Sequence, residues 1–243
     1  ALPSESSATA VLIPFVGFFI ALHCKAVGFV MMAHTRTQLQ LQHIANEDIL
    51  TGLPNRRSVM QSLQQAHSKA LRQGSSLAVL LMDIDHFKRV NDQCGHPSGD
   101  RVLSAMGQIL RQQLRPLRIA GRYGGEEFIV VCPQTSAEEA LQLAYRMCDA
   151  ARTELRATHE RGSWPVTISV GISNLSTVNA VKDDGGHTLL QQADQALYKA
   201  KYAGRDQARV FDAVTDDVDI AESGLAAIHF PEGVVFPNSN AAL

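Results

Sequence analysis

The stretch "SSLAVLLMDID", residues 75–85, constrains the fold more than any other. It is apolar without interruption and ends in acids. A run of this length with no polar face reads as a strand buried on both faces of a sheet. The acids at its end then sit where a core strand meets the surface.

The stretches around it follow other periods. "TGLPNRR", residues 51–57, is a Gly/Pro/Asn turn leading into a helix that runs to about Arg72. A helical pair is expected from His86 to Leu114, broken at Gly95-His96-Pro97. "LRIAGRY" and "EEFIVVC" flank Gly124-Gly125 and read as a β-hairpin. Ser136 opens a long helix with a capping-box pattern, Ser-Ala-Glu-Glu. "WPVTISVGIS" alternates as one strand, with Val166, Ile168, Val170 and Ile172 on one face. A helix over 187–203 ends at Gly204, and a short strand near 209–211 closes the sheet. The order predicts a mixed α/β (α+β) domain: one mostly antiparallel central sheet covered by helices.

Ahead of this domain the sequence changes character. Residues 8–33 are almost entirely apolar, interrupted by His23 and Lys25. About 20 apolar residues suffice to cross a bilayer, so residues 1–33 are read as an N-terminal segment with a transmembrane helix at about 10–33. No basic region precedes the run and no small-residue cleavage site follows it, which disfavours a signal peptide. Glu5 before it and His34 and Arg36 after it place everything beyond on the cytoplasmic side of the membrane. Residues 34–48 read as a helical linker able to pair with a copy of itself. Residues 49–211 form the folded domain. Residues 212–243, with acids, Gly, Pro and Asn and no sustained period, read as a disordered tail.

Composition removes several classes of function. A chain of 243 residues with net charge −2 offers no electrostatic footprint for nucleic acid. Its four cysteines are far apart and form no C-x-x-C pair, which argues against a zinc site or a disulfide framework.

The acids suggest a chemistry. Carboxylates at the edge of a buried strand are costly unless paired or bound to a cation. In the predicted order the first strand and the hairpin are neighbours, bringing Asp83 close to Glu126. Facing carboxylates suit a hard divalent cation, Mg2+ or Mn2+, which commonly also holds substrate phosphates. Asp85 reads equally well as a cap for the helix that follows. Gly124-Gly125 turns the hairpin by taking positive φ and leaves room for a ligand. Asn91 and Asp100 form a pair able to read guanine, although both are common turn residues. Lys201 and Arg205, four apart, either clamp phosphates or line a solvated surface.

Five motifs in order, "DILTGLPNRR", "DIDHFKRVNDQCGHPSGD", "RYGGEEF", "TISVGIS" and "ADQALYKAKYAGR", make residues 48–211 resemble the GGDEF domains, the bacterial diguanylate cyclases. The resemblance implies a nucleotidyl-cyclase-like palm fold and makes the membrane a bacterial inner membrane. It implies a homodimer whose subunits each bind one GTP and together make cyclic di-GMP and two pyrophosphates. It assigns the metal to Asp83, the Ile84 carbonyl and Glu126, with Glu126 also accepting the hydroxyl proton. Lys88 matches the residue credited with transition-state stabilisation. Asn91, His96 and Asp100 match nucleotide-binding positions, Lys201 and Arg205 the phosphate clamp, and Phe87 the loop whose amides approach the phosphates. Glu127 either assists the metal or is structural. The alternative is a module that binds GTP or cyclic di-GMP without turnover; the intact hairpin acids and glycines favour the enzyme.

One departure stands out. Many family members carry R-x-x-D just before the hairpin as an inhibitory product site. Here the stretch is "RPLR": Arg115 is in place and Arg118 replaces the acid. The allosteric site is expected to be degenerate.

Overall fold

A computed structural model of the chain describes residues 46–114, 116–159, 162–175 and 184–212, with scattered residues between 18 and 32. Most of the expected membrane helix, most of the linker and the tail lie outside the described residues. Among the described residues, no helix is long and apolar enough to cross a membrane.

The elements follow in the order α1 (Arg56–Gln73), β1 (Leu77–Ile84), α2 (Phe87–Cys94), α3 (His96–Gln113), β2 (Ile119–Arg122), β3 (Glu127–Pro133), α4 (Ala137–Glu154), β4 (Arg156–His159), β5 (Gly162–Pro165), β6 (Ile168–Leu175), α5 (His187–Tyr202) and β7 (Ala208–Val210). The main sheet has the order β2-β3-β1-β6-β7. Strand β1 is central and antiparallel to both β3 and β6; β7 joins β6 in parallel. This is the mixed, mostly antiparallel sheet that the sequence predicts.

Every residue of β1 is buried, and its alternation divides the core in two. Ala78, Leu80, Met82 and Ile84 join Phe128, Val130 and residues of α3 and α4. Leu77, Val79 and Leu81 join Val59 and Leu63 of α1 and Leu189, Leu190, Ala193 and Leu197 of α5. Each of the larger of these side chains contributes about 1.5–3 kcal/mol by leaving water. The same alternation continues to Asp83, which falls on the side that carries α1 and α5. At Gly171 in β6 an added Cβ would overlap the Ala193 carbonyl and the Leu197 amide nitrogen. The missing side chain lets α5 lie directly on the sheet.

Local signals act where the sequence places them. Asn55 caps α1 by accepting from the Ser58 amide at 3.1 Å. The Ser136 and Glu139 side chains cap α4 reciprocally, at 3.2 and 3.1 Å. One expectation is corrected. "WPVTISVGIS" is not one strand. Trp164 and Pro165 belong to β5, which pairs only with β4 in a separate two-stranded sheet, and β6 begins at Ile168. The alternation persists across the break because Val166, Ile168, Val170 and Ile172 all enter the same core. A shared buried face therefore mimicked a continuous strand.

Candidate active site

The carboxyl end of β1 and the tip of the β2–β3 hairpin meet at one corner of the sheet. In register, Asp83 lies directly opposite Glu127. The Ile84 amide donates to the Glu126 carbonyl at 3.3 Å, so Glu126 flanks the same pair. Like charges placed directly opposite across two strands are destabilising unless something offsets them. The offset comes from α5: Lys201 Nζ stands 2.8 Å from Asp83 Oδ2, whose side chain is only 10% exposed.

That ammonium is shared among several acids. Burial pushes the Asp83 carboxyl up; Lys201 opposes this, Asp85 adds to it and Arg205 opposes it. Burial, then Asp83, pushes Glu126 up against Lys201. Burial and Asp83 also raise Glu127, against Lys201 and with help from Asp194 and Glu126. Asp194 on α5 is raised by burial, again against Lys201. The corner is short of positive charge and offers only oxygen donors. That fits a hard cation such as Mg2+ or Mn2+. Among the described residues no three His, Cys, Asp or Glu side chains form a cluster able to hold a metal. Asp83, Glu126 and the Ile84 carbonyl, the ligands that the family pattern implies, could supply two carboxylates and a backbone oxygen. Such a partial shell suits Mg2+, which keeps waters and phosphate oxygens as its remaining ligands.

One of the two purposes expected of the hairpin glycines, positive φ at the turn, is corrected. Neither Gly124 nor Gly125 is among the positive-φ residues, so the turn does not demand glycine for its backbone. At Gly124 an added Cβ would lie 2.6 Å from Glu127 Oε2. The Glu127 side chain folds back over Gly124 and fills that space. At Gly125 an added Cβ meets nothing within 4 Å, which leaves open space beside the acids. The tip is braced from below. Arg122 Nη2 donates to the Gly125 carbonyl at 2.8 Å and Nε to the Gly124 and Gly125 carbonyls at 3.2 and 3.1 Å. Arg56 donates to Tyr123 Oη at 3.3 Å and its guanidinium lies 4.5 Å from the centre of the Tyr123 ring.

The other predicted residues come from α2, α3 and the end of α5. Phe87 is buried at the start of α2. Asn91 lies against Gly99, where a Cβ would collide with its Oδ1 and crowd the Phe87 ring. Gly99 thus lets α2 and α3 close on each other. His96 and Asp100, one turn apart at the start of α3, are both exposed, as is Lys88 on α2. Arg205 lies beyond the end of α5 at φ 65°, its amide donating to the Ala200 carbonyl at 3.0 Å. Lys201 and Arg205 therefore do not share a helical face: one ends the helix over Asp83 and the other follows it in a turn. Arg115 lies outside the described residues. Arg118 is half-buried just ahead of β2.

Asp85 does not cap α2. The N-cap is His86, with no side-chain hydrogen bond, at φ 58°. Asp85 is buried and accepts from Thr167 Oγ1 and Ser169 Oγ, both at 2.7 Å, and from the Asp206 amide at 3.1 Å. It ties β1, β6 and the turn after α5 together beneath the site. Three functional placements were not visible in the sequence reading. Asp85's donors come from residues 82 to 121 positions away, so no local spacing announces them. Asp194 precedes Lys201 by two helical turns, a spacing that marks one helix face and was legible in principle. Asp48 was assigned to the linker, yet residues 46–48 are knit to the folded unit. The Asn55 amide donates to the Asn46 carbonyl at 2.9 Å, and Glu47 bridges Pro54. Asp48 accepts from the Thr51 amide at 2.9 Å and from Arg122 Nη1 at 3.0 Å.

Comparison with known proteins points to one family. The profile of the family described as diguanylate cyclase, GGDEF domain, matches residues 45–207. Diguanylate cyclase DgcP of Pseudomonas aeruginosa is 40% identical over 180 residues, covering 73% of this chain and 25% of the relative. Response regulator PleD of Caulobacter vibrioides is 38% identical over 164 residues, covering 67% of this chain and 35% of the relative. The chain thus spans about a quarter to a third of the length of these curated relatives. Among solved structures, the coiled coil and GGDEF domain of DgcB from Caulobacter crescentus in complex with c-di-GMP superposes with a TM-score of 0.68 at 27% identity. That match covers 76% of this chain and 96% of the other.

Proposed function

The chain belongs to the GGDEF-domain family of diguanylate cyclases, and from that premise we propose that it condenses two GTP into cyclic di-GMP and two pyrophosphates. The observation that carries the proposal is the corner itself: Asp83, Glu126 and Lys201 converge at an intact GGEEF tip, with open space beside Gly125. Relatives named as diguanylate cyclases share this segment, and a solved neighbour holds cyclic di-GMP.

A divalent cation at Asp83, the Ile84 carbonyl and Glu126 would neutralise phosphate charge and make the attacking hydroxyl more acidic. The chain's own groups do the rest. Asn91 and Asp100 face guanine, with Asp100 accepting from its N1–H and 2-amino edge. Lys201 and Arg205 hold the terminal phosphates, and Phe87 lies in the loop whose amides approach them. In each half-reaction a 3′-oxygen bonds to the α-phosphorus of the other GTP and the bond from that phosphorus to the β-bridging oxygen breaks. The hydroxyl proton passes to Glu126, which lies at the hairpin tip beside the end of β1. Pyrophosphate leaves, and Lys88 steadies the charge that builds up. Catalysis then rests on positioning and electrostatics.

Each folded unit supplies one half of the reaction, so two copies must face each other. The apolar run at 8–33 and the polar segment after it support tethering at the inner membrane, with the cyclase unit in the cytoplasm. The decisive assay incubates the purified chain with GTP and Mg2+ and looks for cyclic di-GMP by chromatography. Wild type should make it, and Glu126→Gln should lose about 10²–10⁴-fold in rate while staying folded. Wild-type protein that binds GTP and never turns it over would identify a non-catalytic binding module.

A further inference from the structure

Lys201 is placed by the family pattern on substrate phosphates, yet here its ammonium is bound to Asp83. Its Nζ lies 2.8 Å from Asp83 Oδ2, with the Lys side chain 32% exposed and the Asp side chain 10% exposed. The contact joins the end of α5 to the end of β1. Both elements are held rigidly, α5 by its close seat over Gly171 and β1 at the centre of the sheet. Glu127 stands directly across from Asp83, and Glu126 precedes it at the hairpin tip. Without a cation the two strands would bring carboxylates together unpaired. The lysine removes that cost.

We propose that Lys201 is a resident counter-ion for Asp83, and that it makes metal binding and triphosphate binding depend on each other. A divalent cation approaching Asp83 meets an ammonium already on the same carboxylate. Two cations on one buried carboxylate repel strongly where the dielectric is low. The metal therefore gains a full ligand only when Lys201 leaves. Lysine leaves readily only if another anion receives it, because an unpaired, partly buried ammonium is itself costly. The terminal phosphates of the nucleotide are that anion. A flexible four-carbon stem allows the short swing from carboxylate to phosphate without moving α5. Each ligand then prepares the site for the other, and by linkage the coupling is equal in both directions. The consequence is selective: metal alone does not occupy the corner, so the acids do not collect free cations between turnovers. This inference rests on the cyclase reading for the identity of the triphosphate.

The experiment measures binding of Mn2+ alone by electron paramagnetic resonance, using the full chain as wild type, Lys201→Met and Lys201→Arg. Each is then measured again with a guanosine triphosphate whose α–β bridging oxygen is a methylene, which blocks pyrophosphate release. Wild type should bind Mn2+ weakly alone and at least tenfold more tightly with the nucleotide. Lys201→Met should bind Mn2+ alone at least tenfold more tightly than wild type, and nucleotide should add little. Lys201→Arg keeps the charge and should keep weak metal-only binding. Asp83→Asn placed on Lys201→Met should remove the gain, which shows that the gained site is this one. Circular dichroism of each variant identifies any that fails to fold, and Lys201→Gln then replaces it. Equal or weaker metal-only affinity in the neutral variants, with intact nucleotide-dependent binding in wild type, overturns the counter-ion role alone. Wild type that binds neither Mn2+ with nucleotide nor nucleotide itself overturns the cyclase reading instead.

Discussion

Arg122 holds Asp48 and the hairpin tip with one guanidinium: Nη1 stands 3.0 Å from Asp48 Oδ2 while Nη2 donates to the Gly125 carbonyl at 2.8 Å. The segment that enters the folded unit is thus joined to the loop that carries Glu126 by a single side chain. A planar fork with fixed donors reaches both partners, which a lysine ammonium does not. Arg122→Ala should lower kcat by about 10–100-fold, because a misplacement on the order of 1 Å is costly at a reacting centre. The KM for GTP should change much less, since the proposed contacts to guanine and phosphates come from α2, α3 and the end of α5. Arg122→Lys should recover only part of the loss. A fall in Tm with kcat unchanged would reduce the residue to a structural brace.

The same contact predicts a pH dependence with a definite sign. Burial would raise the Asp48 carboxyl, but hydrogen bonds from Thr51 and the Arg122 guanidinium outweigh it and hold it below 3.8. A carboxyl depressed in the fold adds stability that is complete above its unfolded pKa and is lost as pH falls through the folded value. Wild type should therefore exceed Asp48→Asn in stability by a constant amount near neutrality. The difference should shrink below about pH 4 and vanish at lower pH. Urea unfolding across a pH series measures it. A gap that widens on acidification would show that another group dominates.

Two glycines separate packing from ligand approach. At Gly171 an added Cβ meets backbone atoms of Ala193 and Leu197, which cannot swing aside. Gly171→Ala should cost at least about 2–3 kcal/mol by forcing α5 off the sheet. At Gly125 nothing lies within 4 Å and φ is not positive, so Gly125→Ala should leave Tm nearly unchanged. Its GTP turnover should nonetheless fall at least tenfold if the open space receives nucleotide. Calorimetry and the cyclase assay on the same samples distinguish the two effects, and full activity in Gly125→Ala would remove the ligand from that space.

What the sequence revealed depended on the range of the interaction. The central strand, the hairpin, the caps at Asn55 and Ser136 and the acids at 83 and 126 all announce themselves within a few residues. Periodicity and capping are local, and five ordered motifs identified the family. What stayed hidden was decided by tertiary contact. Asp85 looked like a cap because Asp often is one, and only β6 and the turn after α5 supply its donors. Asp48 looked like linker because its partner lies 74 residues away. The role of Glu127 stayed open in the sequence, and only the register puts it across from Asp83. The glycines were expected to take positive φ and to leave room for a ligand; neither takes positive φ, and at Gly124 the space is filled by the folded-back Glu127 carboxylate.

The last prediction concerns control by product. Arg118 sits just ahead of the four-residue strand β2, with Arg122 at the other end, so roughly 13 Å of extended chain separates it from the tip. In the family pattern this position is an acid that accepts from guanine. Arginine has donors only and cannot make that contact. A lost bidentate contact to a base edge is worth about 1–3 kcal/mol, or roughly 5–150-fold in affinity. Wild type should therefore show weak or absent inhibition by cyclic di-GMP through this site. Arg118→Asp restores the acceptor and removes a positive charge, and should tighten cyclic di-GMP binding at least tenfold without altering initial turnover. Isothermal titration with cyclic di-GMP, alongside progress curves of the cyclase, measures both. Submicromolar affinity in wild type that disappears in Arg115→Ala would mean that the site works with arginine in the acid's place.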